Sequence, residues 1–141
     1  IGETTPGKIE EISDELFLRL HKQSTFDCQL KGVGVFKDLR NPRVIWCGFD
    51  PAEPFQEIYR LLKRVYDIVQ KPSPSQHFSP HLTIGRVKWI HDRELLRHWI
   101  EKYDRFVFYP FTVTDVILYE SILKPAGPEY KMVRKIALAT Q

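Results

Sequence analysis

The amino-acid sequence predicts an α+β fold with a largely antiparallel sheet. Two observations point to this class: stretches with the period of a strand occur in pairs that short turns separate, and single amphipathic helices lie between the pairs. The regular alternation of strand and helix that builds a parallel sheet does not occur. A weak twofold rhythm of helix, strands and helix also fits a pair of related lobes.

The first half of the chain contains a helix, a hairpin and a second helix. Thr5 stands in a capping position before Pro6, whose missing N–H costs nothing in the first turn of a helix. Asp50-Pro51-Ala52-Glu53 repeats this chemistry before the second helix. The predicted elements are a helix over 8–22, strands over 26–36 and 43–49, and a helix over 55–69.

The second half of the chain places one more helix among strands. Lys71-Pro72-Ser73-Pro74-Ser75 ends the second helix, and residues 76–80 form a loop. A turn at Pro125-Ala126-Gly127-Pro128 precedes the last strand. The predicted elements are a strand over 81–88, a helix over 90–103, and strands over 111–119 and 129–138.

Length and composition describe one globular domain without a membrane span. The chain has 141 residues, of which 21 are basic and 18 acidic, and a formal net charge of +3. A domain of this size buries a core of its own, and no run of about 18 apolar residues occurs. We therefore expect a soluble, cytoplasmic protein whose slightly basic charge permits an anionic partner. Cys28 and Cys47 lack the spacing of a metal or redox site and are expected to be buried free thiols.

His81 and Thr83 are the residues whose pattern points to chemistry. On a strand their side chains share one face, while Leu82 and Ile84 are expected to point into the core on the other. A histidine can take a proton from water or give one to a leaving oxygen, and a threonine hydroxyl can donate to a phosphate oxygen. The pair therefore fits a phosphate site. A histidine that is merely satisfied by hydrogen bonds within the strand is the alternative that this short motif leaves open.

Gly85 and Arg86 follow this pair directly. Gly85 removes a side chain where a ligand can approach, and Arg86 offers a charged guanidinium to a phosphate. Simple alternation sends Arg86 to the side of Leu82 and Ile84. Arg86 reaches the face of His81 only if the strand bulges at Gly85 or ends there.

The remaining histidines fit structural or solvated positions. His21 lies near a helix end, and His91 and His98 belong to the third helix. His77 lies close to the strand histidine along the chain, but Pro80 and a loop separate them, which argues against a metal site. Packing in the core or at its rim is expected for the three tryptophans, Trp46, Trp89 and Trp99.

A longer string around the strand histidine resembles a known family. Phe78-Ser79-Pro80-His81-Leu82-Thr83-Ile84-Gly85-Arg86-Val87-Lys88 is similar to the second signature of the two-histidine phosphoesterases, in the branch of the RNA 2′,3′-cyclic phosphodiesterases or 2′-5′ RNA ligases (LigT-like). The resemblance extends over essentially the whole chain. Further segments that carry it are the hairpin Leu30–Phe36 with Pro42–Trp46 and the closing strands Val116–Ser121 with Gly127–Tyr130.

The resemblance implies a bilobal fold and a metal-independent reaction. In this family each lobe lends one His-x-Thr to a central cleft, where two histidines act as general acid and base on a cyclic phosphate without a cofactor. The product carries a terminal 2′-phosphate, and the same site can join RNA ends through a reversible 2′-5′ linkage. By this resemblance His81 is one catalytic residue, and Thr83 and Arg86 bind phosphate. Phe78 can stack on a base or anchor its loop, and Arg43 can contact the RNA backbone or remain a solvated edge charge.

The sequence departs from the family pattern at its beginning. Ile1-Gly2-Glu3 looks like the end of the Phe-Leu-Gly type segment that follows the first His-x-Thr of the family, and the 141 residues carry His-x-Thr once. We therefore expect residues 1–141 to be a single LigT-like domain from which the N-terminal strands and the first histidine are absent. The expected partners are RNA ends or nucleotides with a 2′,3′-cyclic phosphate, bound by a monomer without an obligate protein partner. The alternatives are a module that binds RNA ends or nucleotide phosphates without turnover, and a folded remnant without a ligand.

Overall fold

A computed structural model of the protein describes residues 3–69, 78–125 and 127–140. Within these ranges the chain forms three helices and six strands. In chain order they are α1 (Pro6–Leu20), β1 (Phe26–Phe36), β2 (Val44–Asp50), α2 (Glu53–Ile68), β3 (His81–Arg86), α3 (Arg93–Tyr103), β4 (Val107–Val113), β5 (Asp115–Lys124) and β6 (Gly127–Ala137). The mixture of helices and antiparallel strands confirms the predicted α+β class.

The strands form two separate sheets. A four-stranded sheet has the order β3-β2-β1-β4, and a two-stranded sheet pairs β5 with β6. The pairings β1–β2, β2–β3 and β5–β6 are all antiparallel. The chain divides into two compact units: unit 1 is built from the described residues within 1–26, 57–77 and 113–141, and unit 2 from residues 27–56 and 78–112. The two-stranded sheet thus belongs to unit 1 and most of the four-stranded sheet to unit 2.

The core of unit 1 lies where α1 and α2 meet β6. The apolar residues of α1 recur every four positions, so that they form one face of the helix. Leu20 and Ile136 are almost completely buried there. The buried cluster comprises Ile12, Leu16, Leu20, Val65, Val69 and Ile136. Beside this cluster, Arg134 of β6 donates from Nη1 to Asp14 Oδ1 at 2.8 Å and so ties the strand to α1.

The helix starts follow the predicted chemistry in part. Thr5 is the N-cap of α1 and has an extended backbone, with Pro6 in the first turn, but its side chain makes no capping hydrogen bond. The fixed backbone of proline is therefore the local feature that begins α1. In α3, Asp92 accepts a hydrogen bond from the Leu95 N–H at 2.9 Å. This cap sets the first helical residue at Arg93, later than the predicted start at residue 90.

The strand predicted over 111–119 is two strands, which corrects the sequence interpretation. β4 ends at Val113 and belongs to the four-stranded sheet, whereas β5 begins at Asp115 and pairs with β6. Between them Thr114 donates from its hydroxyl to Asp115 Oδ2 at 2.8 Å, and its carbonyl accepts from the Leu138 N–H at 2.9 Å. Apolar alternation continues across this junction, so the sequence pattern does not reveal that the chain changes partners there.

Leu82 and Ile84 correct a second prediction, because they do not point into a core. Their exposed fractions are 48% and 60%. The physical reason is that β3 is the edge strand of its sheet, so that residues on both of its faces reach solvent. Side chains along β3 therefore alternate between two faces of the sheet, and neither face is buried at this strand.

Several further expectations meet different outcomes. The predicted end of the second helix at residues 71–75 and the position of His77 lie outside the described residues, as do Ile1 and Gly2. In the described ranges, no helix is long and apolar enough to cross a membrane. Cys28 and Cys47 are both buried and free, as predicted. Burial raises the pKa of each thiol above its ordinary value, and the nearby Asp27 carboxylate adds to the effect at Cys28.

Both thiols are expected to react slowly in the folded protein. A raised pKa reduces the thiolate fraction near neutral pH, and burial blocks the approach of a reagent. A colorimetric thiol reagent should therefore modify Cys28 and Cys47 at least about tenfold more slowly in the native protein than in guanidinium. Single Cys28→Ser and Cys47→Ser variants identify each reaction. A thiol that reacts equally fast under both conditions would contradict its placement in the core.

Candidate active site

The register of β3 against β2 places the two predicted site residues on one face of the four-stranded sheet. His81 lies opposite Gly48, and Thr83 lies opposite Trp46. Leu82 lies opposite Cys47, on the other face. Directly opposite residues of an antiparallel pair share a face, so His81 and Thr83 project side by side, as their alternation predicts. We call this face of unit 2 the histidine face.

The His81 ring is held in one orientation by two contacts. Its Nδ1 lies 2.9 Å from the Ser79 carbonyl oxygen. A carbonyl can only accept, so Nδ1–H donates this bond and the proton of the neutral ring resides on Nδ1. The Phe36 ring of β1 meets the imidazole edge to face, with centroids 4.5 Å apart and an interplanar angle of 89°. Nε2 is consequently the nitrogen left to exchange a proton with a ligand.

Arg86 joins the histidine face because β3 contains a bulge. The register shifts between Trp46 and Ile45 of β2: Trp46 pairs with Thr83, whereas Ile45 pairs with Gly85. The extra residue on β3 is Ile84, which resets the alternation. Arg86 then lies opposite Val44, a residue that shares its face with Trp46 and Gly48. Sequence alternation allowed Arg86 to reach this face only with a bulge, and the bulge occurs at Ile84, one residue before the expected Gly85.

Aromatic rings form the floor beside these residues. The indole of Trp46 lies against Gly34 of β1, because a Cβ built on Gly34 would overlap the indole ring. Phe36 then packs against Trp46 with ring centroids 5.5 Å apart. The Phe36 ring thus contacts Trp46 and His81, and the position of the imidazole depends on how closely the indole can approach β1.

A second positively charged residue, on β1, occupies the same face. Lys31 of β1 lies opposite Gly48 of β2, and Gly48 is also the residue opposite His81. Lys31 therefore lies on the histidine face. Its ammonium contacts Asp50 Oδ2 at 2.9 Å, and the Gln29 side-chain amide donates to the same oxygen at 2.9 Å. The Lys31 and Gln29 hydrogen bonds lower the pKa of Asp50 below its ordinary value. Lys31 is therefore a cation that a carboxylate holds in place on the histidine face.

The two remaining predicted site residues lie near the ends of β2 and β3. Phe78 is half-buried just ahead of β3, and Arg43 is exposed just ahead of β2. The Arg43 N–H donates to the Phe36 carbonyl at 3.2 Å, and the Arg43 carbonyl accepts from the Val87 N–H at 3.0 Å. These bonds place Arg43 beside the end of β3. Arg43 is thus an exposed cation at this end of the sheet.

The described histidines outside β3 stand apart from this face. His21 is the C-cap of α1, where its Nδ1–H donates to the Phe17 carbonyl at 2.7 Å and its ring stacks on Phe17. His91 packs edge to face against Trp89, and His98 lies on α3. Across residues 3–69, 78–125 and 127–140, no cluster of three histidine, cysteine, aspartate or glutamate side chains has the arrangement of a metal site.

Sequence reasoning missed the residues of the floor and the neighbouring cation. Phe36, Trp46 and Lys31 read as ordinary strand residues, because alternation on one strand does not show which residues of another strand lie opposite. One signal is present in the sequence: the glycines at 32 and 34 within a strand favour either a bulge or a close approach to the backbone of β1. The register shifts between Lys31 and Val33, at Gly32. Gly34 is indeed where the Trp46 ring lies against the backbone.

Comparison with known proteins gives agreeing results for sequence and fold. A family model described as the 2′-5′ RNA ligase superfamily matches residues 2–123. The RNA 2′,3′-cyclic phosphodiesterase of Methanocaldococcus jannaschii is 35% identical over 138 residues, which cover 96% of this chain and 75% of that protein. The RNA 2′,3′-cyclic phosphodiesterase of Methanothermobacter thermautotrophicus is 32% identical over 129 residues, which cover 92% of this chain and 70% of that protein.

Two solved structures have the same fold at lower sequence identity. TT0787 of Thermus thermophilus superposes with a TM-score of 0.76 at 22% identity, over 96% of this chain and 73% of that one. E. coli LigT in complex with 3′-AMP superposes with a TM-score of 0.72 at 20% identity, over 98% of this chain and 72% of that one. The fold described above is therefore shared with both structures.

Gly34→Ala is expected to destabilise the protein by displacing Trp46. The added methyl group would overlap the indole, so the ring must leave its position against β1. Overpacking of this kind costs about 1–3 kcal/mol of the free energy of unfolding, which denaturant titration measures, and near-UV circular dichroism should report the moved indole. Gly85→Ala on β3 is the matched control, because nothing lies within 4 Å of the added carbon. Equal effects of the two substitutions would contradict the packing of Trp46.

Asp50→Asn is expected to make unfolding less sensitive to acid. A lowered pKa in the folded state stabilises it above the unfolded pKa of the carboxyl group, and this stabilisation is lost as the pH falls through the folded value. Between about pH 5 and about pH 2, the free energy of unfolding should therefore fall less in the variant than in the parent protein.

Denaturant titrations at each pH measure this difference. Asp67→Asn is the control, since Asp67 is exposed on α2 and has no ion pair within the described ranges. If Asp50→Asn and the parent lose stability equally with acid, the contact with Lys31 does not persist in solution.

Proposed function

The chain belongs to the 2′-5′ RNA ligase superfamily, and from this premise we propose that it hydrolyses 2′,3′-cyclic phosphates at RNA ends to terminal 2′-phosphates. The same site can then join RNA ends reversibly through a 2′-5′ linkage. The observation that carries the proposal is the oriented imidazole of His81 on the face that also holds Thr83 and Arg86. An acid–base group, a hydroxyl donor and a guanidinium are the groups that phosphoryl transfer uses.

The reaction is a displacement at phosphorus. Water forms a new P–O bond, the bond from phosphorus to the 3′ oxygen breaks, and the ring of the cyclic phosphate opens. One group must take a proton from water while another gives a proton to the departing ribose oxygen on the opposite side. The Thr83 hydroxyl can donate to a non-bridging oxygen, and the Arg86 guanidinium can neutralise charge on the phosphate.

His81 can take either proton-transfer role. With the proton on Nδ1, the neutral ring presents a lone pair at Nε2 and acts as a base. The imidazolium form keeps the bond to Ser79 and presents Nε2–H, so that it acts as an acid. Ligation opens the same cyclic phosphate with a 5′ hydroxyl in place of water, so a residue keeps its role in both reactions. It takes the opposite role when the 2′-5′ linkage is cleaved back to the cyclic phosphate.

The second acid–base group is assigned outside these 141 residues. They carry His-x-Thr once, and matched relatives are longer than the part this chain covers. We propose that residues 1–141 are an incomplete copy of a single LigT-like domain, whose other His-x-Thr another part of the protein supplies. The protein is proposed to act as a monomer in the cytoplasm, without a metal ion.

A second candidate function is binding of RNA ends or nucleotide phosphates without turnover. Thr83 and Arg86 can bind a phosphate whether or not a second histidine is present, because a hydrogen-bond donor and a positive charge act on the ground state as well as on the transition state. The two functions differ in what His81 does: only turnover needs proton transfer at Nε2. Mutation of His81 therefore separates them.

His81→Ala is expected to abolish turnover of a 2′,3′-cyclic phosphate RNA by the full-length protein. Loss of an acid–base group lowers kcat by about 10²- to 10⁴-fold, while the Kd for a nucleoside 2′-phosphate should change little because the phosphate keeps Thr83 and Arg86. Arg86→Ala should instead weaken that binding. Product analysis by liquid chromatography and calorimetric titration measure the two quantities, and activity should persist in EDTA.

His98→Ala is the matched control, since His98 is an exposed histidine of α3. It should leave both turnover and binding unchanged. Normal turnover in His81→Ala would contradict the catalytic assignment. A parent protein that binds the 2′-phosphate but never opens the cyclic phosphate would favour the binding module.

A further inference from the structure

Five exposed cations lie at one end of the four-stranded sheet of unit 2. We call this set the basic rim: Lys37, Arg40, Arg43, Arg86 and Lys88. None of them forms an ion pair within the described part of the chain, whereas most other arginines of unit 2 do, as with Arg97 and Arg105. The basic rim is therefore a concentration of positive charge without a direct ion pair in the described ranges, although the Asp38 carboxylate interacts electrostatically with Lys37 and Arg40.

Backbone hydrogen bonds bring the basic rim together. Val44, at the start of β2, lies opposite Arg86, and the Val87 N–H donates to the Arg43 carbonyl at 3.0 Å. The turn between β1 and β2 and the segment after β3 thus lie side by side. One carboxylate is present in that turn, but Asp38 accepts the N–H groups of Arg40 and Asn41 at 2.7 and 2.9 Å. These backbone bonds lower the pKa of Asp38 and direct its Oδ1 into the turn.

Trp89 lies exposed beside the basic rim, contrary to its predicted packing role. Its exposed fraction is 69%, and the His91 ring meets it edge to face at a centroid distance of 4.1 Å. A groove of about 400 Å³ runs past this indole. Its lining includes Ile45, Gly85, Arg86, Lys88, Trp89 and Leu96. Ile45 and its partner Gly85 lie on the face of the sheet opposite to the histidine face, so the groove opens on that other face, and Arg86 at the end of β3 lies between the groove and the candidate phosphate site.

We propose that this end of unit 2 binds the single-stranded RNA that precedes the terminal cyclic phosphate, with a nucleobase stacked on Trp89 and phosphates on the basic rim. The proposal rests on the proposed function, which places the reacting phosphate at the neighbouring histidine face. Single-stranded nucleic acid is the partner that needs both a positive track and an exposed aromatic ring, because each nucleotide carries a phosphate and a π-face. An acidic protein segment matches only the charge.

The substrate class follows from this arrangement. A mononucleotide with a cyclic phosphate reaches the histidine face alone, whereas an oligonucleotide also gains the contacts at Trp89 and along the basic rim. The enzyme should therefore prefer RNA oligomers to mononucleotides without a strong preference for base sequence, since stacking accepts every base.

The test compares two ligands on the full-length protein: a labelled eight-nucleotide RNA that ends in a 2′-phosphate, and a nucleoside 2′-phosphate. Trp89→Ala should weaken binding of the RNA at least about fivefold, as the loss of one stacked base does, and should leave the nucleoside 2′-phosphate within about twofold. Trp89→Phe should retain most of the RNA affinity, because it keeps an aromatic face. Fluorescence anisotropy and competition measure the two dissociation constants.

The charge contribution is measured by salt dependence. The double variant Lys37→Ala/Arg40→Ala should reduce the slope of log K against log salt for the RNA by about 0.7 for each phosphate that is no longer neutralised. Arg105→Ala and Trp99→Ala are the matched controls: the first removes an exposed cation between α3 and β4, and the second an indole that stacks on Tyr103 of the same helix. Neither should alter RNA binding.

Each of the following results would overturn the proposal: RNA binding that is unchanged in Trp89→Ala, an equal loss for the nucleoside 2′-phosphate, or equal losses in the two controls. Competition of an acidic peptide with the RNA at equal charge, unaffected by Trp89→Ala, would point to a protein partner and would likewise overturn it. Failure of the proposed function gives a different result, namely full turnover in His81→Ala while RNA binding still depends on Trp89.

Discussion

The candidate site depends on one feature of strand pairing, the extra residue that β3 carries opposite β2. With regular alternation, His81 and Thr83 would face one side of the sheet and Arg86 the other. The bulge at Ile84 resets the alternation, so that Arg86 lies opposite Val44 on the histidine face. A single backbone irregularity thus gives one side of an edge strand a proton-transfer group, a hydroxyl and a fixed positive charge.

The orientation of His81 depends in turn on residues that have no chemistry of their own. Gly34 lets the Trp46 indole approach β1, Phe36 packs on that indole, and the imidazole meets Phe36 edge to face. The Ser79 carbonyl fixes the tautomer from the other side of the ring. In the proposed reaction, a ring that is already positioned loses little freedom when a ligand binds, and such preorganisation favours catalysis. Packing within unit 2 and proton transfer are therefore linked.

Much of the fold could be predicted from the sequence because it depends on local periodicity. The hairpin of β1 and β2, the helices and the common face of His81 and Thr83 all follow from spacing along a single segment. What could not be predicted depends on which segments become neighbours. The chain changes sheets at Thr114, and Leu82 remains exposed because β3 is an edge strand. The exposure of Trp89 could not be predicted for a related reason. The sequence shows a large aromatic residue at this position but does not show whether another segment covers it.

All the predicted site residues belong to unit 2, although unit 1 contains the larger buried cluster. The proposed recognition of a phosphate uses groups of unit 2 alone, namely the hydroxyl and guanidinium donors and the basic rim. Opening the cyclic phosphate makes a further demand, because in-line displacement needs proton transfer on two opposite sides of the phosphorus. Recognition and turnover consequently rest on different sets of residues. Affinity for an RNA end should survive changes that remove catalysis, which is why binding and turnover have to be measured separately in each variant.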